Sequence, residues 1–140
     1  MAYNITVRTN NKSDKGFNIV EKTVWHGGIW SSRNGIQKLT MDGSGTSGTL
    51  RYRNKESGEH FVVALGVHNY KRWCDILVNL APKETAAQRH AFYYNGGHAQ
   101  HGMLWKQLPE ISSTTSAGTR VVVKYLNESG HDYDVLITIS

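Results

Sequence analysis

Residues 61–67 read Phe61-Val62-Val63-Ala64-Leu65-Gly66-Val67, and none of the seven is polar. A strand with one buried face alternates apolar and polar residues, whereas a strand with two buried faces is apolar at odd and even positions alike. This stretch is therefore predicted to be a strand that is covered on both sides. The turn signal Ser57-Gly58 precedes it and marks the end of the strand before it.

Further strands are predicted on both sides of this stretch. In Tyr3–Arg8, for example, apolar and polar residues alternate strictly. The predicted flanking strands are Tyr3–Arg8, Phe17–Trp25, Ile36–Met41, Thr49–Asn54, Arg120–Asn127 and Tyr133–Ile139. Consecutive strands without alternating helices indicate an all-β-dominated fold, an antiparallel sandwich of two sheets.

One segment, Ala81–Leu108, departs from this pattern. Its composition shifts to Ala, Gln, Lys, Glu and His. Two short helices are predicted within it, Lys83–Phe92 and His98–Leu108. Pro82 suits a first helical turn, and Pro109 ends the second helix. The sandwich is thus expected to carry a helix-loop-helix insert near residues 81–108.

Composition and charge limit the classes of function. The 140 residues correspond to one domain, residues 1–140. Cys74 is the only cysteine, which excludes an internal disulfide. The formal net charge is +5, but the basic residues are scattered and only Lys71-Arg72 are adjacent. Since no recognition helix or ribonucleoprotein-type aromatic motif accompanies them, nucleic acid is not an expected partner.

The N-terminal residues and the overall hydropathy bear on location. Residues 1–8 alternate in polarity and lack the unbroken apolar run that a signal peptide requires. Nowhere do eighteen apolar residues follow one another. We therefore expect a cytoplasmic protein without stable membrane insertion.

Two polar segments are candidate ligand sites. The loop Gly43–Gly48 interleaves three glycines with hydroxyl groups, so its backbone can approach a ligand closely. A tight hairpin is the structural alternative. His68 and Asn69 follow the apolar strand 61–67, where a sandwich displays its loops, and an Asn amide suits the hydroxyls of a sugar. Trp73 could stack on a sugar ring, or it could cover the core.

Catalytic and metal-binding interpretations are weaker. A cysteine hydrolase would need Cys74 as nucleophile, His68 as base and Asp75 as the residue that orients the base. On an extended strand, however, Cys74 and His68 stand too far apart to share a hydrogen bond. His98 and His101 are spaced for one helix face, but no third metal ligand is evident.

Several of these segments together resemble the fungal fruit-body lectins. The resemblance covers essentially the whole chain, and the block around Tyr70 is highly specific. The matching segments are Val20–Trp25, Leu39–Met41 running into Gly43–Gly48, Gly66–Ile76, Tyr93-Tyr94 and Gln107-Leu108.

The resemblance implies a fold, a ligand and an assembly. The fold is a sandwich similar to the pore-forming actinoporins. The ligand is the Galβ1-3GalNAc disaccharide (the T-antigen) of O-glycans, bound without catalysis and without a required cofactor. Members generally form oligomers, so a homodimer or homotetramer is expected.

The family's Ser-Gly pair falls on Ser44 and Gly45, and its His-Asn pair falls on His68 and Asn69. Ser44 would offer a hydroxyl, Gly45 a backbone N–H and Asn69 a donor to the axial oxygen of a galactose-type sugar.

Two departures from the family pattern alter this first site. The usual Tyr-Ala-Asn-Gly-Gly segment is three residues shorter here and reads His26-Gly27-Gly28, so Gly27, Gly28 or Trp30 would have to replace its contacts. The usual Met-Gly-Gly-Ser becomes Met41-Asp42-Gly43-Ser44, which sets a carboxylate beside the loop. Asp42 could accept sugar hydroxyls, help to hold a Ca²⁺ ion, or be a solvated turn residue.

Many members also carry a second, separate site for N-acetylglucosamine. Of its residues, Asp75 and Ile76 remain in this chain. Its Thr is Val78, its Arg falls near Ala99 and its Tyr falls near Ile111. Because a hydroxyl, a guanidinium and a phenol are lost, we expect binding of N-acetylglucosamine to be weak or absent.

A membrane pore-former on the same sandwich is the alternative function. That activity would need an amphipathic N-terminal helix. The strand-like segment Tyr3–Arg8 does not provide one.

Overall fold

The computed structural model describes residues 2–140; Met1, the first residue of the predicted domain, lies outside the described residues. The described residues form ten strands and two short helices. In chain order these are β1 (Tyr3–Asn11), β2 (Phe17–Val24), β3 (Gly28–Arg33), β4 (Ile36–Met41), β5 (Thr46–Asn54), β6 (His60–His68), β7 (Lys71–Leu77), α1 (Ala86–His90), α2 (Gly102–Lys106), β8 (Glu110–Thr114), β9 (Arg120–Ser129) and β10 (Asp132–Ile139).

The strands form two sheets, as predicted. One sheet has six strands in the order β3-β4-β1-β10-β9-β8, and the other has four in the order β2-β5-β6-β7. Among residues 2–140, every paired set of strands is antiparallel except β1 and β10, which run parallel with Asn4 opposite Asp132 and Asn11 opposite Ile139. These two strands are the first and the last of the chain, so no hairpin turn forces them to be antiparallel.

Three strands were missing from the sequence prediction or left undecided. β3 and β8 lie at the two edges of the six-stranded sheet, where each has only one neighbouring strand. Edge strands are exposed on more sides, so their apolar periodicity is weak. β7 was predicted only as strand or turn, because it buries the charged residues Arg72 and Asp75.

The prediction of two buried faces for residues 61–67 is confirmed. The odd-numbered residues of β6, such as Leu65, point into the core between the sheets. The even-numbered Val62 and Ala64 belong to a second cluster on the outer side of the four-stranded sheet, together with Trp73 and Leu104. The insert thus covers an apolar sheet face that would otherwise be exposed to water.

The two predicted helices of the insert are present but shorter. Thr85 caps the first one in a capping box with Gln88, so α1 begins at Ala86. A 3₁₀ turn over residues 91–94 follows it, and another over residues 99–101 precedes α2. Gln107, the residue after α2, adopts a left-handed conformation with φ 50°, and this ends the helix at Lys106, three residues before Pro109.

The carboxylate of Glu21 on β2 fixes the start of α1. It accepts hydrogen bonds from the backbone N–H groups of Ala86 (2.8 Å) and Ala87 (3.0 Å) and from Arg51 Nε (2.7 Å). A negative charge is favourable at this end of a helix, where backbone N–H groups lack internal partners. Glu21 therefore joins the insert to the sheet beneath it.

His90 fixes the other end of α1. The residue is 3% exposed, its Nε2 lies 2.8 Å from Ser47 Oγ, and its Nδ1 lies 2.7 Å from Thr23 Oγ1. The hydroxyl of Tyr94 also contacts Ser47 Oγ at 2.6 Å, and its ring stacks on Trp25. Burial lowers the pKa of His90 to about 4, because desolvation disfavours the charged imidazolium. A neutral imidazole thus bridges the sheet and the insert.

The low pKa of His90 predicts acid sensitivity. Between pH 6.5 and about 4, the unfolded chain takes up a proton at His90 that the folded protein does not. The free energy of unfolding should therefore fall as the pH drops through this window, by roughly 3 kcal/mol in full for this residue. Urea denaturation at a series of pH values measures the effect.

The variant His90→Gln should show a flatter pH dependence than the wild type, whatever its stability at pH 7. His26→Gln, which removes an exposed imidazole, is the matched control and should retain the wild-type slope. Identical slopes for His90→Gln and the wild type would contradict this role of His90.

Candidate functional site

Three loops lie at one end of the sandwich. They are residues 25–27 between β2 and β3, residues 42–45 between β4 and β5, and residues 69–70 between β6 and β7. Each of them follows a strand that runs toward this end, namely β2, β4 or β6. The sequence candidates for sugar binding fall on these loops or next to them.

Hydrogen bonds between the loops hold them together. The backbone N–H of Tyr70 donates to Ser44 Oγ at 2.9 Å, which joins the turn after β6 to the glycine-rich loop. The N–H of Gly45 donates to the carbonyl of Val67 at 2.8 Å. The N–H of Asp42 donates to the carbonyl of Gly27 at 2.9 Å. The loops are therefore one connected surface.

The β6–β7 turn is a tight two-residue connection. Asn69 and Tyr70 have φ values of 50° and 66°, and the flanking His68 and Lys71 are paired, which is the geometry of a type I′ turn. Asn tolerates a left-handed conformation well, but Tyr does so at a cost. The turn exposes both side chains, and Tyr70 is 78% exposed. The amide of Asn69 is thus presented to solvent beside Ser44.

Ser44 and Gly45 contribute in different ways. Ser44 Oγ accepts from Tyr70, which leaves its proton and a second lone pair available. The N–H of Gly45 is used by Val67, so the structure does not bear out the expectation that it is a free donor. Gly45 has φ 89°, and a Cβ there would have no neighbour within 4 Å. Gly45 therefore contributes an open stretch of backbone that a ligand can approach.

Asp42 lies directly over Gly27. A Cβ on Gly27 would come within 2.3 Å of Asp42 Oδ1, and Gly27 has φ 82°, so only glycine fits without strain. The Asp42 residue is exposed. Gly28 follows as the first residue of β3 and pairs with Met41. Within residues 2–140, no group of three or more His, Cys, Asp or Glu side chains forms a metal-ligand set.

His68 lies at the border between the turn and the insert. Its ring stands nearly perpendicular to that of Trp105, with 4.4 Å between the ring centroids. Its carbonyl accepts from Gln107 Nε2 at 2.9 Å. Burial lowers its pKa, and the nearby His101 adds to this effect. Nε2 is buried without a hydrogen-bond partner among the described residues.

The geometry does not assemble a cysteine hydrolase. Cys74 points into the core between the sheets, and its Sγ–H donates to the carbonyl of Leu108 at 3.3 Å. His68 packs against Trp105 beside the insert, on the other face of the same sheet. Burial raises the pKa of Cys74 to about 12, and the nearby Asp75 charge adds to it. A buried thiol with this pKa is a poor nucleophile.

The remnants of the second family site are occupied by internal contacts. Asp75 is buried, and its carboxylate accepts from the hydroxyl of Tyr93 at 2.8 Å. Burial raises its pKa, although the hydrogen bond from Tyr93 acts in the opposite direction. Ile76 and Ile111 pack in the core or against it, and Ala99 is exposed. The side chain of Trp73 is fully buried, so it packs in the core and does not stack on a ligand.

Sequence reasoning missed two exposed aromatic residues near the loops, Tyr70 and Trp105. Tyr70 was seen only as part of a family motif, and its exposure depends on the left-handed turn. Trp105 was seen only as part of a predicted helix. The signal that could have found it is a tryptophan followed directly by the hydrophilic Lys106 and Gln107 in a polar insert.

A β-sandwich that presents a hydroxyl, an amide and a carboxylate on connected end loops has the architecture of a carbohydrate-binding protein. The sequence profile of the fungal fruit body lectins matches residues 1–137, and the chain belongs to this family. It is 46% identical to the Boletus edulis lectin over 145 residues, which span all of both chains.

Solved structures agree with this assignment. Wild-type Xerocomus chrysenteron lectin is 47% identical, superimposes with a TM-score of 0.94 and is covered over 100% of both chains. A form of that lectin with three substitutions gives a TM-score of 0.94 at 46% identity, with 100% of this chain and 99% of that chain covered. The expected family and the sandwich fold are thus confirmed.

Proposed function

We propose that this lectin binds galactose- or GalNAc-type glycans, foremost the Galβ1-3GalNAc disaccharide of O-glycans, and catalyses no reaction. The observation that carries the proposal is the hydrogen bond from Tyr70 N–H to Ser44 Oγ. It ties the turn that exposes Asn69 to the loop that carries the Ser44 hydroxyl and the open backbone of Gly45. Asp42 over Gly27 supplies an acceptor on the same surface.

Selectivity for a galactose-type sugar over its epimer would follow from the cost of leaving polar groups unpaired. In this proposal, Asn69 donates to the axial hydroxyl of a galactose-type ring, and Ser44 pairs with a neighbouring hydroxyl. An epimer with an equatorial hydroxyl would leave these groups desolvated without a partner, at about 1–3 kcal/mol each. His68 serves in this proposal as a support for the turn, because Gln107 Nε2 holds its carbonyl at 2.9 Å.

The double variant Ser44→Ala with Asn69→Ala tests the proposed site. We expect retention on immobilised galactoside to be lost and affinity to fall by roughly a hundredfold, because two hydrogen-bonding groups are removed. Isothermal titration with Galβ1-3GalNAc measures the change.

The matched control is Ser112→Ala with Asn127→Ala. These exposed residues lie on β8 and β9 of the six-stranded sheet, away from the loops. The control should bind like the wild type. Unchanged binding by the Ser44/Asn69 variant would mean that the glycan site is elsewhere on the molecule.

The role of Asp42 is a separate part of the proposal. Ca²⁺ prefers six to eight oxygen ligands, and Asp42 brings a single exposed carboxylate to this surface. The arrangement favours a direct hydrogen bond from a sugar hydroxyl to the carboxylate.

We therefore expect glycan binding to be unchanged by EDTA or by added calcium, and Asp42→Asn to weaken it. Titrations with and without EDTA measure both effects. Asp14→Asn, which alters an exposed carboxylate on another loop, is the control and should have no effect. Loss of binding in EDTA that calcium restores would instead assign a cation to this loop.

The second family site is proposed to be weak or absent in this chain. Its Asp75 carboxylate is already paired with Tyr93, and Val78 and Ala99 cannot replace a hydroxyl and a guanidinium. N-acetylglucosamine titrated into the wild type should therefore give no saturable heat. Saturable binding that persists in the Ser44/Asn69 double variant would contradict this.

Oligomerisation would supply the strength that a single shallow site lacks. Few contacts must offset the lost freedom of the bound sugar, so single-site affinity is weak. Several sites on one assembly raise the apparent affinity without new contacts. We propose a homodimer or homotetramer on these grounds.

A pore-forming activity is less well supported. β1 lies in the middle of the six-stranded sheet, paired with both β4 and β10, so the N-terminal residues cannot leave without breaking the sheet. In the described part of the chain, no helix is long and apolar enough to cross a membrane. Dye leakage from sphingomyelin vesicles would reveal such an activity.

A further inference from the structure

Trp105 is unusually exposed to solvent for a tryptophan. It lies on α2 and is 57% exposed, whereas Trp73 is fully buried and Trp25 and Trp30 are half-buried. The neighbouring Leu104 is buried in the second apolar cluster and anchors the helix. The fold therefore does not need the Trp105 indole for its core, and the exposed ring calls for another explanation.

The position of Trp105 is fixed next to the glycan-binding loops. Its ring meets His68 at 4.4 Å and 86°, and Asn69 follows His68 directly in the chain. Gln107 Nε2 donates to the carbonyl of His68, and Arg72 donates to the carbonyl of Gln107 at 2.7 Å. These bonds tie the end of α2 to the end of β6, so the indole is held at the edge of the proposed site.

We propose that Trp105 forms a second sugar subsite, on which the unit next to the terminal galactose stacks its apolar ring face. This inference rests on the proposed function, because the first unit is placed at Ser44 and Asn69. A large rigid aromatic ring offers contact area at a low cost in conformational entropy, and polar groups around it fix the orientation of the ligand.

The surroundings of Trp105 suit a hydroxylated ligand. His101, Lys106 and Gln107 lie in the same short stretch of the insert and carry hydrogen-bonding groups. An apolar ring face and a polar edge are what a pyranose presents.

The proposal predicts that a single galactoside and a disaccharide depend on different residues, which the first site alone would not predict. A single galactoside should depend on Ser44 and Asn69 but not on Trp105. A disaccharide should depend on all three residues. Because Trp105 is more than half exposed, its truncation should leave the melting temperature close to that of the wild type.

The test compares Trp105→Ala, Trp105→Tyr and Leu126→Ala by isothermal titration with methyl β-galactoside and with Galβ1-3GalNAc. Leu126 is 58% exposed on β9 and is the matched apolar control. For Trp105→Ala, we expect the galactoside Kd to change by less than about twofold and the disaccharide Kd to rise roughly tenfold. Trp105→Tyr keeps an aromatic ring and should retain most of the affinity. Leu126→Ala should match the wild type.

Three results would overturn the subsite. Wild-type affinity of Trp105→Ala for both ligands would show that the indole contacts no sugar. An equal loss for both ligands would make Trp105 a support of the first site. A lower mass of Trp105→Ala in sedimentation velocity would make the indole a contact between copies of the chain. The Ser44/Asn69 double variant distinguishes failure of the subsite from failure of the first site. If this variant binds galactoside as the wild type does, the first site is not at Ser44 and Asn69, whatever the Trp105 variants show.

Discussion

Strand β6 has no face toward solvent, and the other elements are arranged around this constraint. Leu65 and its odd-numbered neighbours need a second sheet, and Val62 and Ala64 need the insert. Since the six-stranded sheet covers one face of β6 and the insert covers the other, the strand reaches solvent only at its end, where the loops lie. His68 therefore meets the insert, and Asn69 turns outward to the loops. The candidate site lies at the meeting point of three layers because one strand is buried on two sides.

Much of this arrangement could be predicted from local patterns. Apolar residues at odd and even positions alike identified β6, and strict alternation identified strands such as β1 and β5. The turn signal Ser57-Gly58 marked the hairpin between β5 and β6. β2, β4, β9 and β10 were also predicted as strands. β3 and β8 were missed because an edge strand has only one neighbour, and its exposed face allows almost any residue. The parallel pairing of β1 with β10 was missed because sequence patterns show which face of a strand is buried, but not which strand lies beside it.

The candidate site was predicted by composition and resemblance more than by geometry. Ser44, Gly45 and Asn69 fall on connected loops, but the partner of each hydrogen bond could not be read from the sequence. Gly45 N–H was expected to be free and is bonded to Val67. The contact of the His68 ring with Trp105 joins residues far apart in the chain and could not be predicted either. Such pairings depend on how layers stack, which local patterns do not encode.

The position of β1 has a consequence for how the chain acquires its shape during synthesis. β1 is synthesised well before β10, and β4 can pair with one of its edges early. Its other edge waits for β10, which lies far along the chain, with Asn4 opposite Asp132 and hydrogen-bonded to it. Closure of the sheet over so long a separation is intrinsically slow. Until β10 has been synthesised, the nascent chain thus carries an open strand edge, which chaperones can bind and other strands can pair with.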